Sequence, residues 1–322
     1  MTGKWPVRQK DIKHVQLQLS NYCNLACPSC ARAARIGDNE QINSYHMDLD
    51  FFKSIFVPGE WPELRLVSFC GNIDDPTMHP QMFEMLEHAL TVNPHLSVNI
   101  STNSSTRVPK YYADLGTISA KHGTRAKVIF AIDGLEDTNH LYRINSNWKK
   151  IENNWKAFIA AGGYAIWQFV VFEHNKHQIE IVKELQKTEG FKSLWLRYSG
   201  RVHNDKGVNV TTLPNYTEND RVICKSLLTD NGIRSPKLYI DHLGNMTPCC
   251  YIDLSNQKHR HIYREIINKV DETSYNLHHN SVDRIIDGPW FDWLYENFER
   301  SPKCIGHCKS NLVDAFVKSS NG

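Results

Sequence analysis

The chain has 322 residues, of which 41% are apolar and 22% are charged, and its formal net charge is +2. This content suffices for one large domain or two smaller ones, and the near-neutral charge does not favour a nucleic-acid-binding or membrane-surface protein. The N-terminus lacks the apolar stretch of a signal peptide, and the longest apolar tract, residues 157–172, is interrupted and too short to span a bilayer. We therefore expect a soluble, cytoplasmic protein.

Between residues 15 and 198, short apolar runs alternate with longer amphipathic stretches, a pattern typical of βαβ units and a parallel sheet. Six strands predict an open or partial barrel, since a closed barrel of this kind needs eight. The predicted strands are 15–20, 64–69, 96–101, 127–132, 166–172 and 193–198. The predicted helices are 80–92, 109–121, 151–161 and 177–188.

The pattern changes after residue 198. Residues 199–219 are polar and rich in turn-forming residues, which predicts a crossover into a second unit. There we expect a hairpin with strands 237–240 and 245–248, then a helical region, 282–298, interrupted at 287–289. The predicted domains are an α/β partial barrel over residues 1–205 and a small α+β unit over residues 206–322.

The nine cysteines are unevenly placed, and an odd number without an export signal favours metal or redox chemistry over a disulfide framework. Cys23, Cys27 and Cys30 form a C-x3-C-x2-C pattern directly after the first predicted strand, where the active sites of parallel sheets gather. Three thiolates can hold a four-iron cluster and leave one iron open, whereas a structural zinc site takes four protein ligands. A zinc site completed by His46 or His79 is the alternative.

This motif resembles that of the radical S-adenosylmethionine (SAM) enzymes, whose fold is a partial (β/α)6 TIM-like barrel. Segments 66–80, 101–104, 131–143 and 169–180 also resemble segments that line the cofactor site of that family. The resemblance implies a [4Fe–4S] cluster on the three cysteines, with SAM bound at its open iron. The implied cofactor-binding residues are Gly71, Asn72, Asp75, which would receive the amino group, Asn103, Asp133, and Arg143, which would reach the carboxylate.

The chain departs from the family pattern at four places. Asp74-Asp75 stands where Gly-Glu is usual, and Ala131 replaces a serine. Ser29 replaces an aromatic residue before the third cysteine, and Ser104 replaces the glycine of Thr-Asn-Gly. None of these changes removes a cluster ligand.

A second group of cysteines comes from three separated segments and consists of Cys224, Cys249, Cys304 and Cys308. Their arrangement resembles the C-terminal auxiliary-cluster domains called SPASM and twitch, and implies a second, fully ligated [4Fe–4S] cluster. Cys250 follows Cys249 on a strand, so the two side chains point to opposite faces and Cys250 is left without a ligand role. A structural zinc site is the alternative for this group, and Cys70 is predicted to be a buried apolar residue.

Several other polar residues lie at or just beyond the predicted C-terminal ends of strands. They are Asp133, His140, Arg197, Tyr198 and Arg201. Because ligands bind at this edge of parallel sheets, these side chains are candidates for the cofactor and substrate pocket. A structural or surface role is the alternative for each.

The family resemblance implies reductive cleavage of SAM to a 5′-deoxyadenosyl radical that abstracts hydrogen from a substrate. The resemblance to twitch-type alcohol dehydrogenases of aminocyclitols favours oxidation of a small polar molecule. Radical modification of a peptide or protein side chain is the alternative. Peptide-modifying enzymes of the family often carry a leader-binding module before the barrel, and the 22 residues that precede Cys23 are expected to be too few for one. The expected partner is an external one-electron donor such as flavodoxin or ferredoxin, with no membrane or nucleic acid. The alternative of another class is a non-catalytic zinc or iron–sulfur protein.

Overall fold

A computed structural model describes residues 4–28, 30–37, 42, 45–198, 236–256, 260–261 and 263–297. The chain divides into two compact units. One comprises residues 1–18, 47–67 and 215–322, and the other comprises residues 19–46 and 68–214. The predicted domain boundary after residue 205 lies outside the described residues.

The described residues contain eight strands: β1 (His14–Leu17), β2 (Leu66–Phe69), β3 (Ser97–Thr102), β4 (Ala126–Ala131), β5 (Tyr164–Val171), β6 (Ser193–Tyr198), β7 (Lys237–Ile240) and β8 (Met246–Thr247). Their order along the sheet is β6-β5-β4-β3-β2-β1-β7-β8. Neighbouring strands from β3 to β6 are parallel, as are β1 and β7, whereas β8 runs antiparallel to β7. The predicted α/β class with a parallel sheet of at least six strands is confirmed.

The helices of the described residues alternate with the strands. They are α1 (Ala31–Gly37), α2 (Leu49–Ile55), α3 (Met82–Val92), α4 (Pro109–His122), α5 (Asn139–Tyr142), α6 (Trp148–Ala160), α7 (Ile179–Thr188), α8 (Arg264–Ile267), α9 (Val282–Ile286) and α10 (Pro289–Asn297). The short helices α1, α2 and α5 were not predicted. Their four to seven residues are too few to show a helical apolar period in the sequence.

The unit that contains β3–β6 has its core between the sheet and the helices. Phe130 on β4 packs against Phe158 of α6, with ring centroids 5.4 Å apart, and Trp167 on β5 lies 5.8 Å from Trp155 of the same helix. Since side chains alternate along a strand, this face of the sheet is apolar and fully buried. The opposite face carries the polar strand residues.

The other unit has a hairpin and a helical core. The β7–β8 turn places Gly244 at φ 83°, a left-handed conformation that favours glycine, and a Cβ there would come within 2.8 Å of the Phe51 ring. Trp290 of α10 is fully buried against Tyr263 and Tyr275. The predicted interruption of the C-terminal helix is present between α9 and α10.

The first strand ends earlier than predicted. β1 stops at Leu17, whereas residues 15–20 were expected to be extended in one ladder. The backbone N–H groups of Leu19 and Ser20 donate instead to Oδ2 of Asp74, each at 3.1 Å. The chain therefore leaves the sheet before the cysteine loop because a side chain takes over its hydrogen bonds.

Candidate active site

The cysteine loop lies between β1 and α1. The N–H of Cys30 donates to the carbonyl of Cys27 at 3.0 Å, which forms a tight turn, and the carbonyl of Cys30 accepts from Ala34 in the first turn of α1. Cys27 is 6% exposed, while Cys23 and Cys30 are half-buried. Eight residues of chain thus present three free thiols at the C-terminal end of a strand.

Each thiol is contacted by a different segment of the same unit. Asn103, after β3, directs its side-chain N–H at Sγ of Cys23, 3.6 Å away. Arg143, which follows α5, directs Nη1 at Sγ of Cys27, 3.9 Å away. The thiol of Cys30 lies 3.6 Å from the carbonyl of Asn72, in the loop after β2.

The structure therefore brings six of the residues predicted for the site together, the three cysteines with Asn72, Asn103 and Arg143. Gly71 precedes Asn72 in the loop after β2 and is partly exposed. Loops that follow several neighbouring strands converge on the cysteines, as expected at the C-terminal edge of a parallel sheet.

Burial affects the protonation of two of the three thiols. It raises the pKa of Cys23 to about 12, and the nearby Asp75 carboxylate adds to the rise. Burial also raises the pKa of Cys27, although the guanidinium of Arg143 opposes the shift. These thiols hold their protons near neutral pH, so binding of a metal group would have to release them.

The donor set fits an iron–sulfur cluster. It consists of three sulfur atoms, two of which face N–H donors of Asn103 and Arg143 that can hydrogen-bond to thiolates. Within the residues that the structure describes, no three His, Cys, Asp or Glu side chains are arranged to hold a single metal ion. His46 stacks on the ring of Tyr22 at 4.8 Å and meets His79 edge-on at 5.0 Å.

Asp75 joins the loop after β2 to the end of β3. Its carboxylate is 3% exposed and accepts from the hydroxyls of Thr77 (2.6 Å) and Thr102 (3.0 Å) and from the N–H of Asn103 (2.8 Å). These bonds hold Asn103 in position beside Cys23. The predicted contact of Asp75 with the cofactor amino group stays a prediction.

Asp74 has a different environment from its neighbour. Burial raises its pKa to about 8, although the N–H groups of Ser20 and Leu19 donate to the carboxyl group. The carboxyl group is therefore largely protonated at neutral pH. The sequence marked Asp74 only as a departure from the family pattern, and its titration depends on burial that no local pattern shows.

Arg143 is held by a buried ion pair. Its Nε lies 2.7 Å from Oδ2 of Asp133, which is fully buried, and Oδ1 of Asp133 accepts from the N–H of Val170 at 2.7 Å. Burial raises the pKa of Asp133, and Arg143 opposes the rise. The pair orients Nη1 of Arg143 toward Cys27.

The turn after β3 contains the serine that replaces a family glycine. Ser104 has φ 52°, a left-handed conformation that glycine adopts more easily. Its hydroxyl is buried and has no hydrogen-bond partner in the described part of the chain. The turn keeps its shape because Oδ1 of Asn103 accepts from Ser105 (2.8 Å) and Asn154 donates to the carbonyl of Ser104 (2.8 Å).

His174 is a half-buried residue near Asp133 that the sequence analysis did not single out. It follows β5 and stacks on Phe172, with ring centroids 5.3 Å apart. Both ring nitrogens are buried without hydrogen-bond partners among the described residues, and burial lowers the pKa of the imidazole while Asp133 opposes the shift. The sequence signal that could have identified His174 is its position just after the predicted strand 166–172. His140 is exposed, and Arg201 lies outside the described residues.

The second cysteine group is described only in part. The expectation that Cys249 and Cys250 lie on a strand is wrong, because β8 ends at Thr247 and both cysteines are in the bend and turn that follow. Both are half-buried, and the hydroxyl of Thr247 donates to the carbonyl of Cys249 at 3.0 Å. Cys224, Cys304 and Cys308 lie outside the described residues, so the second cluster stays a prediction. Cys70, expected to be buried, is half-buried at the end of β2.

No protein-family model matches the chain. A stretch of 95 residues is 30% identical to the tungsten-containing aldehyde ferredoxin oxidoreductase cofactor-modifying protein of Pyrococcus furiosus, and the match covers 29% of this chain. It spans about a quarter, 24%, of the length of that relative.

Solved structures show the same fold. SuiB of Streptococcus suis bound to precursor peptide SuiA has a TM-score of 0.61 at 14% identity and covers 94% of this chain and 71% of its own. SuiB bound to S-adenosylmethionine has a TM-score of 0.55 at 13% identity, covering 91% and 76%. anSMEcpe with bound AdoMet and Kp18Cys peptide has a TM-score of 0.52 at 14% identity, covering 94% and 99%. The predicted resemblance to the radical SAM enzymes is confirmed in the fold. No helix in the described ranges has the length and apolar character to cross a membrane.

Proposed function

We propose that this protein is a radical SAM enzyme whose cluster is held by Cys23, Cys27 and Cys30. The observation that carries the proposal is the contact of each thiol with a different loop, at Asn103, Arg143 and Asn72. The shared fold with SAM-bound structures supports it. When bound, a four-iron cluster with SAM supplies an electron for cleavage of the sulfonium and thereby a 5′-deoxyadenosyl radical.

The chain's own residues would position the cofactor. Arg143 supplies a fixed positive charge for the carboxylate of SAM, because Asp133 holds the guanidinium on its Nε side. The side-chain N–H of Asn103 would donate to the thiolate of Cys23 and stabilise its negative charge. Gly71, Asn72 and Asp75 are proposed to line the amino side of SAM.

We further propose a second [4Fe–4S] cluster on Cys224, Cys249, Cys304 and Cys308. With a cysteine at every corner, the cluster would have no open iron for substrate, and it would supply an acceptor for the electron that is lost in a net oxidation. The combined change of Cys249, Cys304 and Cys308 to alanine is expected to spare SAM cleavage and stop product formation. Full product yield in that variant would assign the second group a structural role.

For the substrate, we propose oxidation of a small polar molecule. A hydrogen atom would leave a carbon for the 5′-deoxyadenosyl radical, and the substrate would then lose a proton and one electron, for which the second cluster would be the acceptor. Modification of a peptide side chain is the second candidate. It is favoured by the solved structures of the same fold, since SuiB is bound to precursor peptide SuiA and anSMEcpe to the Kp18Cys peptide. An external donor such as flavodoxin or ferredoxin supplies the first electron.

Anaerobic reconstitution tests the proposal. The protein is loaded with iron and sulfide, and iron, zinc and the optical spectrum are measured. We expect a brown protein with about eight irons per chain, the content of two four-iron clusters. A colourless protein that retains zinc would overturn the proposal and favour a non-catalytic zinc protein.

A further inference from the structure

One face of the β3–β6 sheet is polar and points away from the helices. The register pairs Asn99 with Lys127 and Gln168 with Trp195, so that these residues share a face. It is the face opposite to Trp167, which packs against α6. The polar side chains of this face, Asn99, Lys127, Gln168 and Arg197, are half-buried, whereas Phe130 and Trp167 on the helix side are fully buried.

Arg197 lies on this face at the level of the candidate active site. It is paired with Val170 in the parallel β5–β6 ladder. The N–H of Val170 donates to Asp133, the carboxylate that holds Arg143. Neighbouring strands are about 5 Å apart, so Arg197 is one strand from Val170 and two strands, about 10 Å, from Asp133, which anchors Arg143.

The charge of Arg197 has no counterion in the described part of the chain. Strands β3–β6 place no Asp or Glu on this face, and no ion pair is formed by Arg197 among the described residues. Burial lowers the pKa of Arg197, and no described acidic group opposes the shift. Asp133 does not fill this role because its two oxygens are already taken by Arg143 and Val170.

The guanidinium is nevertheless fixed in place. Its central carbon lies 5.3 Å from the centre of the Trp195 ring, two residues earlier on the same face. A guanidinium held on an aromatic ring keeps its edge N–H donors free, and these donors match the two oxygens of a carboxylate or phosphate.

We propose that Arg197, held on Trp195, binds an oxyanion of the substrate, a carboxylate or a phosphate group, and that the enzyme therefore acts on anionic substrates. The statement that the bound anion is a substrate rests on the proposed function. The anion site itself rests on the geometry of the polar face. Lys127, the other cation on this face, lies six residues below the level of Asp133, about 20 Å along the strand. It is too far from the cysteine edge to bind the same group.

The test is a fluorine NMR titration of the full-length reconstituted protein labelled with 5-fluorotryptophan. The chain has eight tryptophans, and Trp195→Phe identifies the signal of Trp195. Sodium acetate and sodium phosphate are added in separate titrations at constant ionic strength. We expect the Trp195 signal to shift saturably. The anion with the lower titration midpoint identifies the bound group, as a carboxylate if it is acetate and as a phosphate if it is phosphate.

Arg197→Gln should raise the midpoint of that titration by about tenfold or more, the loss expected for a charge-assisted contact. Arg197→Lys should bind more weakly than the native protein but retain a saturable shift, since it keeps the charge and loses the planar fork. Arg264→Gln, which removes an exposed arginine of α8, is the matched control and should titrate as the native protein does.

An absent shift with both anions, or an equal shift in Arg197→Gln, would overturn the anion site. The titration requires no SAM cleavage. Formation of 5′-deoxyadenosine in the same preparation tests the proposed function separately, so the failure of one is distinguishable from the failure of the other.

Discussion

The ion pair between Asp133 and Arg143 makes a quantitative prediction for Asp133→Asn. Both carboxylate oxygens accept from N–H donors at 2.7 Å, one from Arg143 and one from the backbone of Val170. An asparagine keeps one acceptor and turns its amide N–H2 toward the other donor. The cost of one buried unsatisfied donor is about 1–3 kcal/mol, and the uncompensated guanidinium adds to it. Breaking a buried pair in this way costs about 3–5 kcal/mol in all.

The measurement is urea unfolding of the native protein and Asp133→Asn, followed by circular dichroism. We expect the free energy of unfolding to fall by about 3 kcal/mol or more, because Asp133 is fully buried and Arg143 has only 18% of its side chain exposed. The matched control is Asp114→Asn, which breaks the exposed pair with Lys110 and should cost less than about 1 kcal/mol. Equal destabilisation by the two variants would refute this account of the pair.

Three further predictions concern the same site. Ser104→Gly should stabilise the protein by about 1 kcal/mol in urea unfolding. The left-handed conformation costs a serine about 1–2 kcal/mol, and the backbone entropy of glycine offsets roughly 0.5–1 kcal/mol of the gain. Ser104→Ala keeps a Cβ at positive φ and should not stabilise through this effect. The Asp74 pKa of about 8 lies above the unfolded value of about 3.9, so the folded state binds one more proton between these values. The free energy of unfolding should therefore fall as pH rises through that window, by at most about 1.4 kcal/mol per unit, and level off above it; an unchanged slope in Asp74→Asn would contradict the assignment. Arg143→Ala should weaken SAM binding by about 2 kcal/mol, about 30-fold in a calorimetric titration, and unchanged affinity would remove Arg143 from the cofactor site.

The sequence predicted all six strands of the βα repeat because each is a short apolar run between amphipathic helices. The bounds of β6 were predicted without error, since Ser193–Tyr198 is flanked by polar residues. The end of β1 was predicted too late, because the bonds that Asp74 makes with Leu19 and Ser20 join segments about 55 residues apart. Such contacts leave no trace in a local apolar pattern.

The candidate site, like the fold, was predictable from the sequence only in part. The family resemblance named Asn72, Asn103 and Arg143 as cofactor-binding residues, and the structure places each of them 3.6–3.9 Å from a cysteine Sγ. Their contact with the cofactor stays a prediction. The hydrogen bonds that Asp75 accepts depend on the end of β3, and the missing counterion of Arg197 among the described residues depends on which side chains share its face. Both depend on the register in which the strands pair, and a local sequence pattern does not show that register.

The central claim is that Cys23, Cys27 and Cys30 hold a cluster that cleaves SAM. The most direct measurement is 5′-deoxyadenosine formed in a single turnover by the reconstituted protein with dithionite, compared with Cys23→Ala, Cys27→Ala and Cys30→Ala prepared in the same way. The native protein is expected to form 5′-deoxyadenosine, and each variant is expected to form none while retaining the iron of the second cluster. Cleavage at the native rate in any of the three variants, or no cleavage by the fully loaded native protein, would contradict the account.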